Sequence, residues 1–176
     1  MMELIHIPRN KIKSVWPLVH DLVRDGFKAP NRRMDIPSIK QMAIAGSWDM
    51  WIVWDEGKKN PKAIFFTELY EEISGLKIGS IRFFSGKDRR DWLSLLKTLE
   101  GHMRNAGVQR MEIWARKGWL KELSEYRFTH VLLEKDLDDG IGQVNTKHHE
   151  RERSDERSVR VIGQEPRVDT GASSRV

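Results

Sequence analysis

Apolar residues recur along this chain at two spacings, and the switches between them mark its elements. In "ELIHIP" a short apolar run ends at Pro8, which predicts a strand. In "SVWPLVHDLVRDGF" the residues Val15, Trp16, Val19, Leu22 and Val23 fall at helical spacing. Ser14 is placed to cap that helix, which puts Pro17 in the first turn, where a missing N–H costs little. "DIPSIKQMAIAGS" repeats the arrangement, with Asp35 as the cap, Pro37 in the first turn and Gly46 as the stop.

The spacing then changes to that of strands. "WDMWIVWD" is rich in aromatic and β-branched residues, and short turns lead on to "KAIFFTELYEE" and "LKIGSIRFF", an antiparallel meander. "DRRDWLSLLKTLEGHMRNAG" returns to helical spacing: Trp92, Leu95, Leu96, Leu99 and Met103 form one stripe. Asp88 or Ser85 can cap this helix and Gly107 stops it. "VQRMEIWAR" reads as a strand, "KGWLKELSEY" as a short helix and "FTHVLLEKDL" as a last strand. The order β-α-α-β-β-β-α-β-α-β predicts an α+β sandwich. Its mixed, mostly antiparallel sheet has about six strands, with about four helices spread over both faces.

Composition narrows the class. With 39% hydrophobic and 32% charged residues and no run near the ~18 apolar residues of a membrane span, the chain reads as a water-soluble protein that does not enter a membrane. "MMELIHIPRNK" lacks the basic-then-apolar pattern of a signal peptide, so a cytoplasmic protein is expected. Absence of cysteine excludes disulfides, a thiol nucleophile and thiolate metal sites, and the scattered histidines offer no ligand spacing. All seven tryptophans precede residue 120, whereas 138–176 mixes charges with Gly, Ser and Pro. Such a segment buries too little apolar area to offset chain entropy, and a disordered tail is expected there. The net charge of +5 resides in residues 1–147, where 25 basic residues face 20 acidic ones, and favours acidic partners such as cofactor phosphates. Nucleic acid fits less well, because the aromatics follow strand and helix periodicity instead of interleaving with Arg and Lys.

One junction concentrates the candidate chemistry. "RFFSGKDRRDW" runs from a strand through Ser85, Gly86, Lys87, Asp88, Arg89 and Arg90 into the long helix. It is either a turn with a capped helix or a phosphate site. A P-loop does not fit: six residues separate Gly79 from Gly86 where that motif needs four, and Asp follows Lys87. The element order, with the long helix after the fourth strand, resembles the GNAT fold of acetyl-CoA-dependent N-acyltransferases over residues 3–137. "GKDRRDW", "NAGVQRMEIWARKGW" and Tyr126 resemble, more narrowly, small GNAT-like proteins encoded among the head and tail genes of tailed bacteriophages and prophages.

The resemblance implies acetyl-CoA as the cofactor. Its pyrophosphate would lie on the loop Arg/Gln-x-x-Gly-x-Gly/Ala, whose glycines let the backbone approach closely. Gly86 matches, but Asp88 or Arg89 stands at the second small position, and Lys87, Arg89 and Arg90 are left to supply the cations. Ile81, Arg82, Phe83 and Phe84 would carry the main-chain oxyanion donor and the rest of the cofactor edge. Glu68, Glu71 and Glu112 are candidate bases for the amine. Glu112 reads more readily as a strand carboxylate paired with a neighbouring Arg, because ion pairs also perturb carboxylates. The acid that protonates the leaving thiolate is usually a Tyr five residues before the Phe of the last strand. Here that position is Leu123, and Tyr126 stands nearby as a packing residue or a substitute. Arg116, Gly118 and Trp119 match a recurring pattern of the phage group and would line a cleft, or else Trp119 is core.

Two functions follow. One is acyl transfer from coenzyme A to an amine. The other is a non-catalytic virion or assembly role on a reused fold, with a phage structural protein or a second copy of the chain, as a homodimer, for partner.

Overall fold

The computed structural model of the chain describes residues 1–27, 34–115 and 117–129. The chain divides into two units, Met1–Phe128 and Thr129–Val176, and the sheet and helices belong to the first. Its strands are β1 (Met2–Ile7), β2 (Asp49–Asp55), β3 (Asn60–Glu71), β4 (Lys77–Gly86) and β5 (Arg110–Ile113). Its helices are α1 (Ile12–Gly26), α2 (Ile36–Ala45), α3 (Arg89–Trp92) and α4 (Leu96–Asn105). The strands form one sheet in the order β1-β2-β3-β4-β5, antiparallel throughout except for the parallel β4–β5 pair. That parallel pair is made possible by the crossover through α3 and α4. From residue 130 the expected last strand, and with it the expected tail at 138–176, lies outside the described residues.

Each sheet face has its own core, as a layered α+β sandwich requires. On one, Trp16, Val19 and Val23 of α1 and Ile39 and Ala43 of α2 cover Met50, Ile52, Ile64, Phe66 and Phe83. On the other, Trp92, Leu96, Leu99 and Met103 cover Leu4, Trp51, Val53, Phe65 and Ile81. Strand alternation produces this division: Ile64 and Phe66 point one way, Ala63 and Phe65 the other.

Two bulges interrupt the alternation, and each carries a cation. Val53 pairs with Ala63 but Trp54 with Pro61, so Lys62 is the extra residue of β3. Phe66 pairs with Phe83 but Thr67 with Ile81, so Arg82 is the extra residue of β4. A bulge re-aims side chains and bends the strand. Ile81 and Phe84 consequently reach the α4 face while Phe83, which lies between them in the chain, reaches the α1 face.

The caps of α2 are as the sequence predicts. The Ser38 N–H donates to Asp35 Oδ1 at 2.7 Å, and Gly46 takes the left-handed conformation at φ 79°. Those of α1 differ. A 3-10 turn, Arg9–Lys11, leads straight into the helix, so it starts at Ile12 and not after Ser14, whose hydroxyl donates to Lys11 O. Pro17 therefore lies inside the helix, not in its first turn, and the Lys13 carbonyl loses its helical donor. The long helix expected after β4 is divided as well. The Trp92 indole donates to Lys87 O at 2.8 Å and fixes the first turn, after which a 3-10 turn, Leu93–Leu95, precedes α4. The expected helix "KGWLKELSEY" is a 3-10 helix over Lys117–Lys121, with looser turns beyond it.

Gly86 has a packing reason to be glycine. A Cβ there would lie 2.7 Å from Ala63 Cβ and 2.8 Å from the Trp92 ring. Gly86→Ala should cost about 1–3 kcal/mol through overpacking. Urea unfolding should show a lower midpoint at unchanged slope. Unchanged stability would mean that the glycine serves something other than this contact.

Candidate functional site

On the α1 face, one rung of the sheet aligns three polar residues: Glu68 on β3, Ser80 on β4 and Glu112 on β5 are register partners. Arg82, displaced by its bulge, turns onto the same face. Its Nε lies 3.2 Å from Glu68 Oε2, and its guanidinium stacks over the Trp114 ring at 4.6 Å. Glu112 is held differently. The Tyr70 hydroxyl donates to its Oε1 at 3.0 Å and the Trp114 indole N–H donates to the same oxygen at 3.3 Å. Its Oε2 has no partner among the described residues. The Arg partner expected for Glu112 is therefore replaced by two neutral donors. Burial, and then the Glu112 bond, push the Tyr70 phenol up to about 12. Ser80 is fully buried and its hydroxyl has no partner among the described residues.

The edge of β4 that faces β5 is paired only from Ile78 to Ile81. A last bond runs from the Trp114 N–H to Ile81 O at 3.3 Å. From Arg82 to Gly86 that edge has no strand partner among the described residues. On the α4 side the opening is lined by Phe84, Ile113, Trp119 and Leu123, which leave a cavity of only 10 Å³. Trp119 meets Phe84 edge-on at 4.8 Å, so it is a packing residue of this mouth, and Leu123 is buried beside it. Gly118 is exposed in the 3-10 helix with open space where a Cβ would stand, and Arg116 lies outside the described residues.

The junction after β4 is electrostatically sorted. Asp88 takes a left-handed conformation at φ 53° and makes no cap bond; its carboxylate faces the buried Lys62 ammonium at 3.4 Å. Burial opposes the Lys62 charge, but the Asp88 bond and the charges of Asp88 and Asp55 together raise its pKa. Lys87 Nζ lies 3.8 Å from Asp25, and Arg89 donates to Glu122 at 2.7 Å while facing the Trp119 ring at 5.6 Å. Arg90 is exposed with no partner among the described residues. The Lys87 N–H is used by Lys62 O.

A pyrophosphate fits this junction in charge. Lys62 offsets Asp88, and the Lys87 and Arg89 pairs are half-exposed ones worth at most ~1 kcal/mol, which a phosphate can replace. Two further candidates, Tyr126 and Glu71, stand apart from the Glu68–Ser80–Glu112 rung. The part-buried Tyr126 donates its hydroxyl to Glu100 Oε1 on α4 at 2.8 Å. Burial and that carboxylate push its pKa far above the ordinary range, which makes it a poor proton donor. Glu71 is exposed near the hairpin end, opposite Lys77. Tyr70, which the sequence pattern does not single out, is brought in by strand register, the one signal being two polar residues, Glu68 and Tyr70, two apart in an apolar strand.

No family model matches the chain, and no curated protein matches it in sequence. Solved structures match it in fold. An aminoglycoside acetyltransferase from an uncultured soil metagenomic sample, in complex with trehalose, is similar with a TM-score of 0.58 at 11% identity, over 78% of this chain and 97% of that one. Glucosamine-6-phosphate N-acetyltransferase from Arabidopsis thaliana is similar with a TM-score of 0.55 at 11% identity, over 78% and 99%. A predicted acetyltransferase from Clostridium acetobutylicum, solved with acetyl-CoA, reaches 0.55 at 14%, over 78% and 97%. The chain thus has the GNAT acetyltransferase fold. Among the described residues no helix is long and apolar enough to cross a membrane, and no cluster of His, Asp and Glu could hold a metal ion.

The raised groups set an alkaline limit on stability. A free tyrosine releases its proton near pH ~10 and a free lysine near ~10.4. Folded Tyr70, Tyr126 and Lys62 hold theirs longer. The folded state therefore binds more protons above pH ~10, and the stability these groups contribute is present below that pH and lost as pH rises through their folded values. Urea midpoints should fall between pH ~10 and ~12, and less steeply in Tyr70→Phe. Equal slopes in both proteins would show that Tyr70 titrates as a free phenol.

Proposed function

We propose that the chain is an acetyl-CoA-dependent N-acyltransferase acting on a primary amine, with Glu112 as the base. The observation that carries this reading is the end of β4–β5 pairing at Ile81, next to the Arg82 bulge. It leaves the β5-facing edge of β4 beside Glu112 without a strand partner among the described residues. A free strand edge is where an extended thioester arm can lie. Residues Ile81 to Gly86 would hold that arm, and Lys87, Arg89 and Arg90 the phosphates. Acetyl-CoA would supply an activated acyl group. The chain's own part is to accept a proton from the amine at Glu112 Oε2, to keep Glu68 engaged by Arg82, and to offer main-chain N–H groups near Arg82 and Phe83 to developing negative charge.

A second reading is favoured by the closed mouth. Trp119 and Leu123 fill the α4 side of the opening, leaving 10 Å³, and no tyrosine stands at Leu123. On that reading the fold is reused in a non-catalytic phage virion or assembly protein. Calorimetry and a thiol-release assay separate the two. The first reading expects micromolar binding of acetyl-CoA by the full chain, weakened by Lys87→Ala/Arg89→Ala/Arg90→Ala and strengthened by Glu122→Gln, which releases Arg89. It also expects amine-dependent thiol release that falls about 100-fold or more in Glu112→Gln. No binding by either wild type or Glu122→Gln supports the second reading.

A further inference from the structure

The two carboxylates of the α1 face are held by different kinds of partner, and that difference carries an inference that rests on the acyltransferase reading. Glu68 faces a guanidinium. Glu112 receives two neutral donors, and both bind the same oxygen. One of them comes from far away in the sheet. Tyr70 lies on β3, opposite Ile78 of β4, whereas Glu112 lies on β5 opposite Ser80. The Tyr70–Glu112 bond therefore spans the whole width of β4. The β4 side chain beside Glu112 is Ser80, which is small and fully buried, while Ile78 stands beside Tyr70, so the phenol reaches Glu112 on the diagonal across β4.

We infer that Tyr70 is the positioning residue of the acceptor side: together with Trp114 it saturates Glu112 Oε1 and so presents Oε2 to the incoming amine. A glutamate on a strand has three side-chain torsions, and an unrestrained one samples several rotamers. Two donors converging on one oxygen fix the carboxylate plane and leave a single acceptor direction open. Such restraint matters because a misplacement of about 1 Å can cost on the order of 100-fold in rate. The tie also joins β3 to β5 just where β4 and β5 begin to part, so Glu112 stays in register with the open edge. Tyr126, the only other tyrosine, is bound to α4 through Glu100 and takes no part in this arrangement.

With two tyrosines in the chain, the tie can be read by spectroscopy without any ligand. NMR of the full chain carrying ring-labelled tyrosine, assigned with Tyr70→Phe, gives each phenol its own titration. The Tyr70 phenol should titrate near 12 in the wild type and move towards about 10 in Glu112→Gln. Tyr70→Phe should then lower kcat for amine acetylation by about 10- to 100-fold with KM for acetyl-CoA unchanged, and shift the acid limb of the pH–rate profile. A Tyr70 resonance indifferent to Glu112→Gln overturns the inference. So does a Tyr70→Phe enzyme with normal kcat and pH profile beside an inactive Glu112→Gln. A wild-type chain that binds no acetyl-CoA while Tyr70 still titrates high sinks the acyltransferase reading itself, and with it the positioning role, leaving a structural cross-strand tie.

Discussion

The extra residue at Arg82 is the constraint on which the rest of the site depends. Without it, strict alternation along β4 would send Ile81 and Phe83 to one face and Arg82 and Phe84 to the other. With it, Phe83 completes the core under α1, where it stacks on Phe27 at 5.2 Å, and Phe84 turns to meet Trp119. Arg82 reaches Glu68 and Trp114 on the α1 face. The same irregularity accompanies the end of pairing between β4 and β5 at Ile81. The insertion and the end of β5 at Ile113 together bring a free backbone edge beside the carboxylates Glu68 and Glu112.

The second bulge, at Lys62, performs an electrostatic version of this task. It puts an ammonium among Asp55 and Asp88, where the side chain is only 10% exposed. A buried cation is tolerated only when paired, and its pairing takes up the charge of Asp88. This accounts for an acidic residue in a loop that otherwise suits phosphates. The adjacent Arg89 holds Glu122 and faces Trp119, and on the acyltransferase reading it would have to release Glu122 to take a phosphate. Loop and mouth are thus linked through a single side chain.

Much of this was legible in the sequence where the cause is local. The Asp35 cap, the Gly46 stop, the meander and the stripe from Trp92 to Met103 each follow from residue type and spacing, and the GNAT-like order follows from them. The α1 start was misplaced because the 3-10 turn at Arg9–Lys11 makes a cap unnecessary, and nothing in "IPRNKIKS" distinguishes that turn from a loop. Neither bulge was visible, because an extra residue changes the pairing between two strands and not the residue types within either. Tyr70 was missed because its partner lies 42 residues away, across an intervening strand. Gly86 was read for its backbone freedom, yet its surroundings are Ala63 and Trp92, a contact only the fold creates.

The most direct test of the account is amide hydrogen exchange along β4 in the full chain, with and without saturating acetyl-CoA. The free edge should be the docking edge, so added protection should appear in the Arg82–Gly86 segment, with Ile78–Ile81, already paired on both sides, unchanged. Protection confined to other elements, or none at a ligand concentration that saturates binding, would contradict the claim that this edge is open for a thioester.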